Sequence, residues 1–213
     1  GKLYKHNPGV NPNFILDGAS GKDDIKEYLD FSKNPSSVNP SWNYVYSANN
    51  APLFPSGKTY PGYYLPENRA KRIVQLLDPK SDWDKSSVSE MILDHTSSVN
   101  PGIIADFNLA LKEDTSFFAS LTTDEQWAYN DLQSWEGDYP ETTTAAALFH
   151  KWEYYFLKAV FLDELGESQF KAIQTTHFFK RAIAPMAKKA ESIWFDNKKT
   201  AEIETKSELL KSS

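Results

Sequence analysis

The spacing of hydrophobic and polar residues changes character near residue 66. The first 66 residues hold eight of the 12 prolines, which leaves room for short ordered pieces only. Large and small residues alternate over residues 42–48 with a period of two, which predicts a strand ending at Asn49. Residues 25–31 fit either a helical turn or a short strand, and the pattern does not choose between them.

From Pro66 onward the apolar residues recur at helical spacing. Pro66 suits a first helical position, before Arg69 and the pair Leu76–Leu77. The longest predicted helix covers residues 144–165 and ends at Gly166. Its apolar stripe comprises Leu148, Phe149, Trp152, Tyr155, Phe156, Ala159, Val160 and Leu162, which we expect in the core.

Other helices are predicted from capping signals and spacing. A capping box of Ser87 and Glu90 precedes one helix, and a box of Thr122 and Glu125 opens another over residues 125–135. Further helices are expected over residues 101–112, 169–175, 179–188 and 202–210. The predicted fold class is therefore mainly α: a loop-rich segment with one or a few short strands over residues 1–66, followed by a helical domain over residues 67–213.

Composition narrows the classes of partner. The chain has 213 residues, a net charge of −6 and no basic patch, so nucleic acid is not an expected partner. It has no apolar run near the ~20 residues of a membrane helix, so no membrane association is expected. The absence of cysteine excludes disulfides, thiolate metal sites and a cysteine nucleophile. The chain starts with Gly1–Lys2 rather than Met, and we interpret this start as processed or truncated.

No self-sufficient active site is visible in the sequence. The four histidines lie far apart and there is no cysteine, so a zinc site is not expected. The GKT of residues 57–59 lacks the upstream glycine of a phosphate loop, since Pro52 stands there. We therefore predict no metal and no cofactor.

Three stretches resemble successive landmarks of one family. They are NPSWNYVYSANNAP, YPGYYLPENRAKRIVQLL and LQSWEGDYPETTTAAALFHKW, and WFDNKKTAEIETKSELL resembles the helical part that follows. In this order they are similar to the penicillin amidase (penicillin acylase) family of N-terminal-nucleophile hydrolases. The resemblance covers about residues 35–213.

The resemblance implies a fragment of the large (beta) chain of an αββα hydrolase that cleaves amides of acylated small molecules. In the family a serine exposed by self-cleavage is nucleophile and, through its α-amine, its own base. That serine is missing here, so we expect this chain alone to be inactive. The implied partners are the remainder of the parent chain and its small (alpha) chain, and the implied location is periplasmic or secreted.

The resemblance also implies two site residues. Asn49 matches the asparagine whose side-chain amide holds the oxyanion, and Arg69 matches an arginine that orders the site. The family's calcium is not carried over, because no Asp or Glu lies between Asn50 and Glu67.

Simpler interpretations stand beside these roles. Asn49 is equally suited to closing a turn, and Arg69 to pairing with Glu67 or Asp78. The aromatic residues Trp42, Tyr60, Tyr63 and Tyr64 fit either an acyl pocket or ordinary packing. The alternative function is a helical binding module for glycans or a protein partner that uses exposed aromatics. A third hypothesis is a structural subdomain that shapes the parent enzyme's pocket.

Overall fold

The computed structural model describes residues 3–12, 14–52, 64–112 and 114–213. The chain divides into two compact units, Gly1–Leu65 and Pro66–Ser213. Tyr60, Tyr63 and the GKT stretch lie outside the described residues.

The first unit contains a small antiparallel sheet. Strand β1 (Tyr4–His6) pairs with β2 (Ile25–Tyr28), with Tyr4 opposite Tyr28. An ion pair of 2.6 Å joins Lys5 on β1 to Glu27 on β2, across directly opposed positions. Residues 25–28 are therefore a strand, which settles the choice that the sequence left open.

The predicted strand over residues 42–48 is wrong. These residues form a turn followed by irregular chain, and Asn43 has a left-handed backbone with φ of 63°. An alternating pattern produces a strand only where a partner strand takes up its backbone hydrogen bonds. Within the described residues the sheet consists of β1 and β2, so residues 42–48 have no such partner there.

The second unit is helical, and the mainly α prediction is confirmed. Its described residues form eight α-helices. They are α1 (Asn68–Leu77), α2 (Lys85–Leu93), α3 (Asn100–Leu111), α4 (Thr115–Ser120), α5 (Thr123–Ser134), α6 (Ala145–Gln174), α7 (His177–Lys188) and α8 (Lys206–Ser212). None of the described helices is both long and apolar enough to cross a lipid bilayer.

Capping explains where several helices begin. The predicted box of Thr122 and Glu125 opens α5 as expected. The box predicted from Ser87 and Glu90 is wrong, because Asp84 is the N-cap of α2 and Ser87 is its reciprocal partner. Both side chains satisfy backbone N–H groups there, so the helix begins earlier than predicted.

One further helix begins later than predicted, and one helix was not predicted. Helix α8 starts at Lys206 behind a capping box of Thr205 and Glu208, not at Glu202. Helix α4 was not predicted; the side chain of Asp114 accepts from the backbone N–H of Phe117 at its start.

Helix α6 breaks where the sequence predicts its end. Gly166 has φ of 72° and ψ of 167° inside the run Ala145–Gln174, so two helical segments meet at a kink. Glycine adopts this backbone without the strain of a Cβ atom.

The core of the second unit forms around Phe107 of α3. Its ring lies 4.8 Å from the rings of Trp152 and Phe156 on α6. Phe149, Leu157, Val160 and Phe161 are further buried residues of α6. The buried face is rotated from the predicted stripe, since Tyr155 remains 43% exposed.

A buried lysine joins α8 to the end of α7. The ammonium of Lys206 donates to the backbone oxygen of Ala187 at 2.8 Å. Burial lowers the pKa of Lys206, and the nearby Asp106 carboxylate opposes that shift. A cation at the carboxyl end of a helix binds carbonyls that have no partner within the helix.

Candidate functional site

Asn49 lies in a bend whose backbone is fixed from both sides. Its φ of 62° places it in the left-handed region, which asparagine tolerates better than most residues. Its backbone oxygen accepts from the N–H of Leu65 at 2.8 Å. Ala48 beside it is buried, whereas Asn49 itself is exposed.

Asn50 fastens the same bend with its side chain. Its Oδ1 accepts from the N–H of Ala48 at 3.2 Å, and its Nδ2 donates to the oxygen of Ala51 at 3.3 Å. The strand predicted over residues 42–48 would have ended at Asn49, but no such strand forms there. The structure fixes Asn49 instead by the turn chemistry of Asn50 and the link to Leu65.

Left-handed backbone is not special to Asn49 within this segment. Asn39 and Asn43 also have positive φ, of 46° and 63°. The conformation alone therefore fits turn formation, and a catalytic role for Asn49 needs a separate argument.

Arg69 lies in the first turn of α1, and its side chain is exposed. Its neighbour Glu67, one of the two partners considered from the sequence, forms an ion pair of 3.1 Å with Lys71. Asn49 belongs to the first compact unit and Arg69 to the second.

A second arginine on α1 is committed to a structural ion pair that the sequence did not predict. Arg72 donates from Nε to Oδ1 of Asp94 at 2.9 Å and from Nη2 to Oδ2 at 2.5 Å. This bidentate geometry is the stronger form of an arginine–carboxylate pair. The hydrogen bonds with Arg72 hold the pKa of Asp94 below its usual value. Arg72 is thus occupied within the second unit.

Four polar side chains form a hydrogen-bonded chain between the start of α3 and the start of α6. Asn100 donates to the Tyr139 hydroxyl at 2.6 Å, and that hydroxyl lies 3.0 Å from Nε2 of His150. Nδ1 of His150 lies 2.7 Å from Oε2 of the buried Glu153. A ring proton on Nδ1 lets each member donate to the next, ending on the Glu153 carboxylate.

These four hydrogen-bonded side chains hold the residue 135–139 loop in place and do not activate a nucleophile. Burial raises the pKa of Tyr139, so its phenol stays protonated. Both nitrogens of His150 are already engaged by Tyr139 and Glu153. The i, i+3 spacing of His150 and Glu153 is the sequence signal for the pair; the contacts with Asn100 and Tyr139 span longer separations.

Among the described residues, no group of three or more His, Asp or Glu side chains is arranged to hold a metal ion. Exposed aromatic side chains in the second unit include Trp127 on α5, Tyr155 on α6 and Phe178 on α7. Tyr155 meets its neighbour Tyr154 edge to face.

Two comparisons with known proteins bear on this chain. The family model described as penicillin amidase matches residues 1–213. The chain is also 26% identical to the acyl-homoserine lactone acylase QuiP of Pseudomonas aeruginosa over 209 residues. That match covers 91% of this chain and 24% of the relative, so the chain spans about a quarter of the relative's length.

Proposed function

The chain belongs to the penicillin amidase family, and from this premise we propose that its complete protein hydrolyses the amide bond of an acylated small molecule. The observation that carries the proposal is the family match over the whole of residues 1–213. The name of the relative suggests an N-acylated substrate, with acyl-homoserine lactones as the first class to test.

The proposed mechanism uses a nucleophile from outside this chain. A serine at the start of a mature large chain attacks the amide carbonyl while its own α-amine accepts the proton. The charge that develops on the carbonyl oxygen needs a fixed N–H donor. We assign one such donor to the side-chain amide of Asn49, with Arg69 as a supporting charge. The remainder of the parent chain and a small (alpha) chain complete the enzyme, in the periplasm or outside the cell.

The described geometry supports Asn49 in this role. Its side chain is exposed, whereas its backbone is tied to Leu65 and flanked by the Asn50 hydrogen bonds. An oxyanion donor needs a fixed backbone, and in the complete enzyme the rest of the protein must also exclude water from its amide.

Arg69 is proposed as the supporting cation because it matches the arginine of the family motif. It lies in the first turn of α1 and is exposed. Arg72 on the same helix forms the bidentate pair with Asp94.

The test is Asn49→Ala in the complete protein, assayed on N-acyl-homoserine lactones and phenylacetyl amides. We expect kcat to fall at least ~100-fold, since one oxyanion donor contributes about 3–4 kcal/mol to the transition state. Mass spectrometry must first show the same self-cleaved chains, beginning with serine, in wild type and variant.

Asn43→Ala is the matched control for backbone strain. Asn43 has φ of 63° against 62° at Asn49 and is also exposed, so alanine strains both bends alike. A loss below about threefold at Asn49, or an equal loss at Asn43, would contradict the assignment. An uncut precursor would contradict the N-terminal serine itself.

A further inference from the structure

Two adjacent acidic residues of α6 carry buried oxygen atoms that lack a hydrogen-bond partner. The atoms are Oδ1 of Asp163 and Oε2 of Glu164. The Glu164 side chain is 9% exposed. A buried carboxylate oxygen without a donor is costly, so this pair needs an explanation.

The two carboxyl groups lie within hydrogen-bonding reach of each other, in the last turn before the kink at Gly166. Two carboxylates offer acceptors and no donor, whereas a carboxylic acid beside a carboxylate offers one donor. One proton held by the pair therefore replaces a repulsive contact with a short hydrogen bond.

The same pair holds the α7–α8 loop, which comprises residues 189–205. Oδ2 of Asp163 accepts from the backbone N–H of Lys198 at 2.8 Å. The Lys198 ammonium lies 3.8 Å from Oε1 of Glu164. Contacts from this one loop residue therefore reach both acids.

A third carboxylate closes the loop on itself. Oε2 of Glu204 accepts from the N–H of Asn197 at 2.7 Å, and Oε1 accepts from the Thr200 hydroxyl at 2.5 Å. The charge of Asp163 acts on Glu204 and opposes the lowering of the Glu204 pKa by Thr200 and the Asn197 N–H. Among the described residues, the charges that act on Glu164 are therefore Asp163 on its own helix and the cation Lys198 in the loop, and the anion Glu204 interacts with Asp163.

We propose that Asp163 and Glu164 share one proton and form a pH-dependent latch that holds the α7–α8 loop on α6. The protonated pair is an uncharged acid beside one carboxylate, and that carboxylate keeps the Lys198 N–H. Loss of the proton to solvent places two negative charges side by side, with Glu204 nearby and one lysine at 3.8 Å to compensate. The loop contact weakens as a result.

The pKa shifts of the two groups agree with a pair made of one protonated acid and one carboxylate. Burial, together with the hydrogen bond and charge of Asp163, raises the pKa of Glu164 to about 7. Burial acts in the same direction on Asp163, but hydrogen bonds from Glu164 and the Lys198 N–H outweigh it and lower the pKa of Asp163. Glu164 is therefore the member that carries the proton.

The sign of the pH effect follows from linkage. Between the unfolded pKa of Glu164 and its raised folded pKa, the folded chain binds more protons than the unfolded chain. The Glu164 contribution to stability is therefore present at low pH and is lost as pH rises toward 7 and above. A carboxylate whose folded pKa is lowered acts in the opposite direction, because its contribution to stability is lost as pH falls.

The experiment measures hydrogen exchange at the Lys198 amide of the intact chain at about pH 6 and about pH 8.5, corrected for the intrinsic rate. In wild type we expect its protection to fall at least about tenfold. Glu164→Gln keeps a neutral side chain at both pH values, and its protection should change less than about threefold. Glu167→Gln, at an exposed position on the same helix, should behave as wild type.

Flat protection in wild type, or an unchanged pH dependence in Glu164→Gln, overturns the proposal. A second measurement needs no variant: the carboxyl carbon shift of Glu164 in the unmodified chain. A titration midpoint above about pH 6 supports the latch, and any lower midpoint refutes it. This titration tests the proposal even if Glu164→Gln does not fold.

Discussion

At the scale of single residues, Gly137 is the described glycine at which an added Cβ atom would come closest to other backbone. Its φ is 89°, and an added Cβ atom would overlap the backbone oxygen of Ser97 and approach the Pro101 ring. The Gly137 oxygen also accepts from the N–H of Ser97 at 2.7 Å. The residue 135–139 loop can approach the start of α3 this closely because residue 137 has no side chain.

We expect Gly137→Ala to lower the free energy of unfolding by at least ~2 kcal/mol, because a left-handed backbone and a steric overlap act together. Urea denaturation of both proteins measures the difference. Gly102→Ala is the matched control: Gly102 is helical and exposed, with nothing within 4 Å of an added Cβ. That change should stabilise by ~0.5–1 kcal/mol. A Gly137 loss no larger than the control's effect would show that the loop readjusts without cost.

Residue roles were predictable from the sequence where the cause is local. Asparagine favours turns, and Asn49 lies in one with positive φ. The pair of Arg72 and Asp94 joins positions 22 residues apart, and helical spacing holds no information on such a contact. The catalytic roles of Asn49 and Arg69 remain predictions that rest on the family.

At the scale of elements, the capping box of α5 is a sharp target. The Thr122 hydroxyl accepts from the N–H of Glu125 at 3.3 Å, and Oε2 of Glu125 accepts from the N–H of Thr122 at 2.8 Å. We expect Thr122→Ala to lower the free energy of unfolding by ~1 kcal/mol at neutral pH. Thermal or urea unfolding checks this value against Thr123→Ala, which removes the neighbouring hydroxyl and leaves the box intact.

The difference between the two variants should depend on pH. The N–H and hydroxyl of Thr122 hold the pKa of Glu125 below its ordinary 4.5. A depressed folded pKa means that the carboxylate contribution is present above the unfolded pKa and is lost as pH falls. Thr122→Ala keeps the backbone N–H and removes the hydroxyl that donates to Oε2 of Glu125 at 2.8 Å. The part of the stability gap between Thr122→Ala and Thr123→Ala that comes from this hydroxyl–carboxylate bond should therefore be lost below about pH 4. If the stability gap between the two variants does not change with pH, the stabilisation comes from the hydroxyl as acceptor of the Glu125 N–H, without a contribution from the carboxylate.

Helices were more predictable than strands for a physical reason. A helix forms its backbone hydrogen bonds within one segment, so local spacing and caps suffice, as at α5. A strand needs a partner, which is why residues 42–48 have the alternation but not the structure. The buried face of α6 is rotated from the predicted stripe, so that Tyr155 is exposed. This rotation depends on which neighbours pack against the helix, and the spacing of its apolar residues does not predict it.

At the scale of the whole molecule, apolar burial is concentrated in the second unit. Every member of the main hydrophobic cluster lies between Ile103 and Leu210. In the described part of the first unit, Ala48 is the one buried apolar residue, while Phe14, Ile15 and Val38 are largely exposed. Burial of apolar surface is the dominant stabilising term in folding, so the two units should differ in independent stability.

The proposed domain division near residue 66 can therefore be tested by truncation. A chain of residues 66–213 retains the whole hydrophobic cluster, and we expect it to unfold in one cooperative transition with native near-ultraviolet circular dichroism. A chain of residues 1–65 has a two-stranded sheet as its described regular pairing, which is marginal in water, so it should show no cooperative transition. A non-cooperative 66–213 chain that binds a hydrophobic dye would have the signature of a molten globule. It would mean that the helical core depends on the first 65 residues, and the division would then describe packing but not independent folding.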